Sequence, residues 1–275
     1  MKKVITAYLI CIMMLLLIAC SAKENETVNE NPVTPTTAVE PTAEPTPEPT
    51  AVPTATPTPE PTPVPEVDYT GKKLVALTFD DGPNLQTTPL VLDILEEHGV
   101  VASFFLIGQY INEDTKPVME RELELGCEIN NHSWTHSSMS TFTPEQIKEE
   151  IKNTSDIINE MLGITPVFFR PPFIATSTVM YENIDLPFIN GINCTDWDAS
   201  VTSEKRVETI LNNVKDGDII LMHDFNGNIN TVNALDGIIQ GLKDDGYALV
   251  TVSKLFELKG VDPNVENKIW TNTAW

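Results

Sequence analysis

The sequence predicts an α/β fold with barrel-like closure over residues 67–275, and three observations carry that prediction. Apolar runs alternate with segments of helical periodicity from Lys72 to Phe256, the layout of buried strands separated by helices. Asp80, Asp81, His132 and His223 stand where strand-like runs end, and a closed α/β barrel gathers its chemistry at the C-terminal ends of its strands. No Gly-x-Gly-x-x-Gly follows the first run, so an open dinucleotide-binding sheet and a nicotinamide cofactor have no support.

The elements follow in order. "KKLVALTFD" (72–80) is the first strand, stopped by Gly82-Pro83. Thr88–His98 is a helix with Leu90, Val91, Leu92, Ile94 and Leu95 at its apolar positions, and His98 beside Gly99 marks its C-terminal end. "VVASFFLIG" (100–108) is a second strand, dense in β-branched and aromatic residues. A short helix covers Lys116–Leu125, and "CEINNH" (127–132) is a short third strand. Residues 143–162 form the clearest helix. Thr143 caps it, Pro144 takes its first turn, Gln146 completes a capping box, and Ile147, Ile151 and Ile158 line its apolar side. "PVFFRPPF" (166–173) holds a fourth strand and "DLPFINGINC" (185–194) a fifth. "DGDIILMHD" (216–224) is another, followed by a helix over 231–243, and "YALVTVSKLF" (247–256) gives the last strand and the start of the last helix.

The residues before this domain read differently. A short basic start and an apolar run to Ala19 form a secretory signal too short for a good membrane span. "LIAC" (17–20) resembles a bacterial lipobox, which implies cleavage before Cys20 and a lipid on that cysteine; the alternative is an ordinary signal with an incidental cysteine. Residues 21–66 are rich in Pro, Thr and Glu and have little to pack. They are expected to be an extended spacer between an anchor on the outer face of the cell membrane and the cell wall. Membrane contact is expected through the lipid alone.

A net charge of −23 and the absence of a basic patch exclude nucleic acid as a natural partner. A neutral glycan suits such a surface better than a polyanion. Only Cys127 and Cys194 fall in the domain, and two buried thiols are expected rather than a disulfide.

The side chains with chemistry cluster in a few motifs. "FDDGP" (79–83) sets two carboxylates where a strand ends. Two adjacent charges in such a place are costly unless a cation sits beside them; a solvated turn is the bland alternative. "NNHSWTH" puts His132 and His136 four apart. Two imidazoles and a carboxylate form a common divalent-metal set with open positions for water and substrate. The other carboxylate can then take a proton from water, and His223 in "LMH" (221–223) can give one to a leaving group. No Gly-x-Ser-x-Gly elbow supports a serine esterase.

"TFDDGP", "HSWTH", "RPPF", "DW" and "LMHD" follow one another as do the motifs of the polysaccharide deacetylases with NodB homology, carbohydrate esterase family 4, and the resemblance runs from about Lys72 to Leu258. It implies a single catalytic domain folded as a distorted (β/α)7-type barrel. It also implies roles: Asp80 as general base, Asp81, His132 and His136 as metal ligands, and Arg170 as the partner of Asp80. Asp196 would support His223 as general acid. Trp197 and Leu221 would receive the acetyl methyl, and the Phe173 backbone N–H would face the oxyanion. Many relatives carry Gly where this chain has Ile174, which reshapes the groove edge. Tyr69, Tyr110, Trp134, Phe173 and Trp197 are candidates for stacking on sugars, with core packing the alternative for Tyr110 and Trp134 and linker edge for Tyr69. Zinc is the expected ion, with cobalt, nickel or manganese as alternatives, and a monomer is the expected state. The expected reaction is N-deacetylation of GlcNAc or MurNAc in peptidoglycan, because an anchored enzyme favours a substrate near the cell and the complete histidine pair leans toward amides. The alternatives are O-deacetylation of xylan or another secreted glycan, a chitooligosaccharide deacetylase, and an inactive glycan-binding protein.

Overall fold

The structure, a computed structural model, describes residues 68–274. The leader with Cys20 and the spacer over 21–66 lie outside the described residues. Among the described residues no helix is long and apolar enough to cross a membrane.

At the centre lies β1 (Lys73–Gly82), buried from Leu74 to Asp80. Its near-continuous apolar run is that of a parallel strand covered on both faces. It pairs in parallel with β2 (Ser103–Leu106), β6 (Ile219–His223) and β7 (Tyr247–Val250). Ala76 pairs with both Ile219 and Val250, so β7 lies on the edge of β1 opposite β6. Outward from β2 comes β3 (Glu128–Asn131), and outward from β6 comes β5 (Ile192–Asn193). A separate pair joins β4 (Phe188–Ile189) to β8 (Ile269–Trp270). Single-residue bridges through Phe169 link Asn131 to Phe188 and carry the parallel order round toward β4. The result is a parallel sheet wrapped by helices, a distorted barrel. Its register matters for chemistry: Asp80 pairs with His223, so the ends of β1 and β6 stand level on one rim.

The helices are α1 (Thr87–His98), α2 (Lys116–Glu124), α3 (Pro144–Leu162), α4 (Thr178–Asn183), α5 (Ser203–Asn213), α6 (Ile229–Asp244) and α7 (Val252–Lys259). The Thr143–Gln146 capping box at the start of α3 is present in both directions. The C-terminal end of α1 is Gly99 at φ 60°, with His98 bonded to Asp236 at 2.9 Å. The largest core cluster packs α1, α2 and α6 against β1, β2 and β6.

The expected fourth strand over 166–173 shrinks to the bridge at Phe169, because Pro171 and Pro172 remove the next backbone donors. The expected fifth splits into β4 and β5 about Gly191. A Cβ there would lie 2.8 Å from the Leu221 Cβ and 2.9 Å from the Ile219 carbonyl oxygen, a close approach that only glycine allows. Cys127 and Cys194 are buried and unbonded to each other, and burial pushes each thiol up to about 12.

One core residue is out of character. Glu122 on α2 is fully buried, and neither carboxylate oxygen has a hydrogen-bond partner among the described residues. Burial, and secondarily the charge of Asp224, pushes its pKa well above the ordinary glutamate value. The folded protein therefore keeps a proton that the unfolded chain releases, and stability falls as pH rises from the ordinary value through the raised one. Glu122→Met removes both oxygens at similar length. It is expected to stabilise by about 1–3 kcal/mol at pH 8 and less at pH 5, read by urea unfolding at both pH values. A destabilised variant at pH 8 would mean the carboxylate has a partner worth keeping.

Candidate active site

The end of β1 presents Asp80 inward and turns at Asp81, whose φ is 75°. The turn closes tightly: a Cβ on Gly82 would lie 3.1 Å from an Asp224 carboxylate oxygen. Asp224 is fully buried, its backbone N–H donates to the Asp80 carbonyl, and the Thr88 hydroxyl donates to its carboxylate at 2.5 Å. Burial first, opposed by the Thr88 bond and helped by the charges of Asp81 and Asp80, pushes the Asp224 carboxyl up to about 7.

Asp81, His132 and His136 converge, with their candidate ligand atoms within 4.8 Å of one another. The Asp81 Oδ1 lies 3.4 Å from His132 Nε2 and 3.2 Å from His136 Nε2. That oxygen is buried and has no hydrogen-bond partner among the described residues. His132 Nδ1 meets the Arg170 carbonyl at 2.7 Å, which assigns the ring proton to Nδ1 and leaves the Nε2 lone pair facing Asp81. An orphaned carboxylate oxygen opposite two imidazole nitrogens fits a divalent cation, so this chain's donors match the metal site that the resemblance implies. Burial would raise the Asp81 carboxyl, but the His132 imidazole beside it, followed by His136 and His223, holds it down at about 2. Burial and His132 lower the pKa of His136, against the pull of Asp81 and Asp80.

Asp80 sits beside this cluster, its Oδ2 3.8 Å from His132 Nε2. Its Oδ1 accepts from the Arg170 guanidinium at 2.5 Å. Arg170 is fully buried, donates also to the Asn190 carbonyl at 3.0 Å, and lies over the Phe105 ring at 4.1 Å. Burial, against Asp80, lowers its pKa.

Asp196 is fully buried and gripped from several sides. Its Oδ1 meets His223 Nδ1 at 2.8 Å, and its Oδ2 accepts from the His223 backbone N–H at 2.7 Å and the Thr231 hydroxyl at 2.9 Å. Burial disfavours the charged imidazole, but the bond to Asp196 and the charges of Asp196, Asp80 and Asp81 overcome it and raise His223 to about 9. Behind stands Arg206, fully buried, donating to Asn228 at 2.8 Å and Thr231 at 2.6 Å.

Asp80, Asp81, His132, His136 and His223 face one cavity of about 410 Å³, lined also by Phe173, Ile174, Trp197 and Leu221. Phe173 and Trp197 are 70% and 52% exposed at its mouth, while Leu221 is buried. Phe173 and Ile174 hold φ of 58° and 54°; such a backbone is strained for the β-branched Ile174. A second cavity of about 710 Å³ shares Asp81 and His136 and is lined by Leu85, Gln109, Tyr110 and Phe225 among others. No Lys or Arg lines either cavity.

The structure thus brings Asp80, Asp81, His132, His136, Phe173, Trp197, Leu221 and His223 to one cavity, with Arg170 and Asp196 directly behind it. Of the candidate stacking residues, Tyr110 lines the second cavity, whereas Tyr69 packs against a core cluster away from the site. Trp134 packs where a Cβ on Gly108 would come within 2.4 Å of its ring. Sequence reasoning missed Arg206, Asn228, Thr231 and Glu150. Glu150 carried a signal: it falls on the buried face of α3 with Ile147, Thr154 and Ile158, where an acid needs a partner.

A half-buried Asp-His-His cluster flanked by a carboxylate and a carboxylate-bound histidine, at the rim of an α/β barrel, fits a metal site of the hydrolytic kind. A family model described as polysaccharide deacetylase matches residues 68–185. A bifunctional xylanase/deacetylase of Pseudobutyrivibrio xylanivorans is 52% identical over 201 residues, covering 73% of this chain and 33% of that protein. The structure of a family 4 acetyl xylan esterase from Clostridium thermocellum, in complex with a cobalt ion, is 44% identical with a TM-score of 0.72, covering 74% of this chain and 100% of that one. The peptidoglycan-N-acetylglucosamine deacetylase PgdA of Listeria monocytogenes is 35% identical over 188 residues, 67% of this chain and 39% of that protein. The chain belongs to the polysaccharide deacetylase family, and it spans between a third and two fifths of the length of the two full-length relatives named here.

Proposed function

We propose that the chain is a metal-dependent deacetylase that removes O-acetyl groups from xylan or a similar neutral glycan. The observation that carries deacetylation is the sharing of one cavity by Asp80, the Asp81–His132–His136 cluster and His223. The choice of xylan rests on kinship: identity is higher to the xylanase/deacetylase and the acetyl xylan esterase than to the peptidoglycan deacetylase. This reverses the order expected from the sequence, where the anchor and the complete histidine pair favoured peptidoglycan amides. The pair serves either acyl group, because both reactions place the same charge on the carbonyl oxygen.

When bound, a divalent ion supplies Lewis acidity to an acyl oxygen and to water. Asp80, held by Arg170, accepts the proton of the attacking water. The backbone N–H of Phe173 faces the oxygen on which negative charge develops. His223, kept protonated by Asp196, gives its proton to the departing sugar oxygen. Water and the acetyl ester become acetate and a free hydroxyl. Trp197 and Leu221 enclose the methyl. In this reading Cys20 carries a lipid and residues 21–66 act as the spacer that lets the domain work outside the cell as a monomer.

The test is acetate release from acetylated xylan, chitooligosaccharides and peptidoglycan, with zinc or cobalt and after chelation. Acetate from xylan, lost on chelation and restored by either ion, is the expected result. Acetate from peptidoglycan or chitooligosaccharides alone returns the amide reading. Release that survives complete metal removal sinks the metal-dependent mechanism.

A further inference from the structure

Between the two candidate histidine ligands the chain turns sharply. Ser133 and His136 both lie in the left-handed region, at φ of 67° and 57°. Such a backbone is strained for a residue other than glycine and persists only where its surroundings hold it. The holding groups are visible. The backbone N–H groups of Trp134 and Thr135 both donate to one oxygen of Glu150, each at 2.8 Å. The Thr135 hydroxyl donates to the other oxygen at 2.8 Å. Successive N–H groups converging on one point form an anion nest, and Glu150, 8% exposed on α3, fills it.

The opposite side of the turn is pinned as well. The carbonyls of Ser133 and Trp134 accept from the N–H groups of Gly108 and Gln109 at 3.0 and 3.1 Å. Asn131 accepts from the Ser133 N–H at 2.8 Å and donates to the Ile151 carbonyl at 2.9 Å. Helix α3 therefore grips the segment at two places, and Glu150 is its only charged grip among these bonds.

We infer that Glu150 is a positioning residue for the metal site: its carboxylate sets the 133–136 turn so that His132 and His136 present their Nε2 atoms together before a cation arrives. The inference rests on the reading of Asp81, His132 and His136 as a metal site. Among the described residues, Glu150 makes its side-chain bonds to Trp134 and Thr135 and to neither ligand ring. It acts through the backbone between them, and without it the turn relaxes and the two rings lose their common aim.

The experiment uses the full chain with Glu150→Ala, Glu150→Gln and the exposed neighbour change Glu149→Ala. Zinc affinity of the metal-free proteins is measured by competition with a chromophoric chelator, and the melting temperature of each metal-free protein is recorded in parallel. Glu150→Ala is expected to weaken zinc binding about 10–100-fold. Glu150→Gln keeps one acceptor for the two N–H groups and recovers part of that loss, and Glu149→Ala binds as the wild type does. A folded Glu150→Ala protein with wild-type affinity overturns the inference, even if its melting temperature drops, because Glu150 then only packs the helix on the turn. Where Glu150→Ala does not fold, Glu150→Gln decides: a loss of about threefold or more supports the role, and wild-type affinity overturns it. Wild-type protein that binds no zinc overturns the metal reading itself, and this inference falls with it.

Discussion

Asp80→Asn is expected to lower acetate release by about 10²–10⁴-fold with zinc saturating. The amide matches the carboxylate in shape, and its oxygen can still accept from Arg170, but it cannot take a proton from water. A second effect has a different origin. Arg170 is fully buried, and Asp80 is the one carboxylate it pairs with among the described residues. Removing that charge leaves a buried cation bonded only to neutral groups, which costs about 3–5 kcal/mol of stability. Rate and melting temperature should therefore both fall, and measurements below the variant's melting range separate them. A variant that keeps wild-type turnover would remove Asp80 from the chemistry and leave it the counter-ion of Arg170.

The second large effect concerns pH. In the proposed reaction His223 must be protonated to donate to the leaving oxygen, and its pKa is raised to about 9, with burial opposing and Asp196 overcoming it. The acid form is therefore retained as pH rises past neutrality and is lost as pH passes the raised value. A cation beside Asp81 offsets the pull of Asp80 and Asp81, so the alkaline limb of the loaded enzyme lies below about 9. Asp196→Asn removes the negative charge while burial of the ring persists. The limb should move to lower pH, and the rate at the optimum should fall by about 10²–10⁴-fold as the acid is lost. The same pair is linked to stability. A raised histidine pKa contributes stability that is full below 6.5 and lost as pH rises through about 9, and Asp196→Asn should flatten that slope. A profile whose alkaline limb does not move would assign it to another group.

Much of this was readable from the chain, and the reasons differ by element. The start of α3 was legible because a capping box is a local device, complete within Thr143–Gln146. β1 was legible because a buried parallel strand must be apolar on both faces. "FDDGP" and "NNHSWTH" were legible as a site because their side chains are too costly to bury without a partner. The helix α5 was overlooked although Thr202 caps it and Val207, Ile210 and Leu211 keep helical spacing; its polar run masked the period. α4 and β8 are short and carry little local signal. The strand expected at 166–173 failed because apolar content alone does not supply ladder donors where prolines follow. Arg206, Asn228, Thr231 and Glu150 stayed hidden because their meaning lies in partners 15 to 35 residues away, which no local pattern encodes.

Arg170 has a consequence of its own. Its carbonyl fixes the ring of His132, and its guanidinium fixes the carboxylate of Asp80. Two parts of the chemistry are thus surveyed from one benchmark. In the proposed reaction, a change that shifts Arg170 would therefore disturb Asp80 and His132 together.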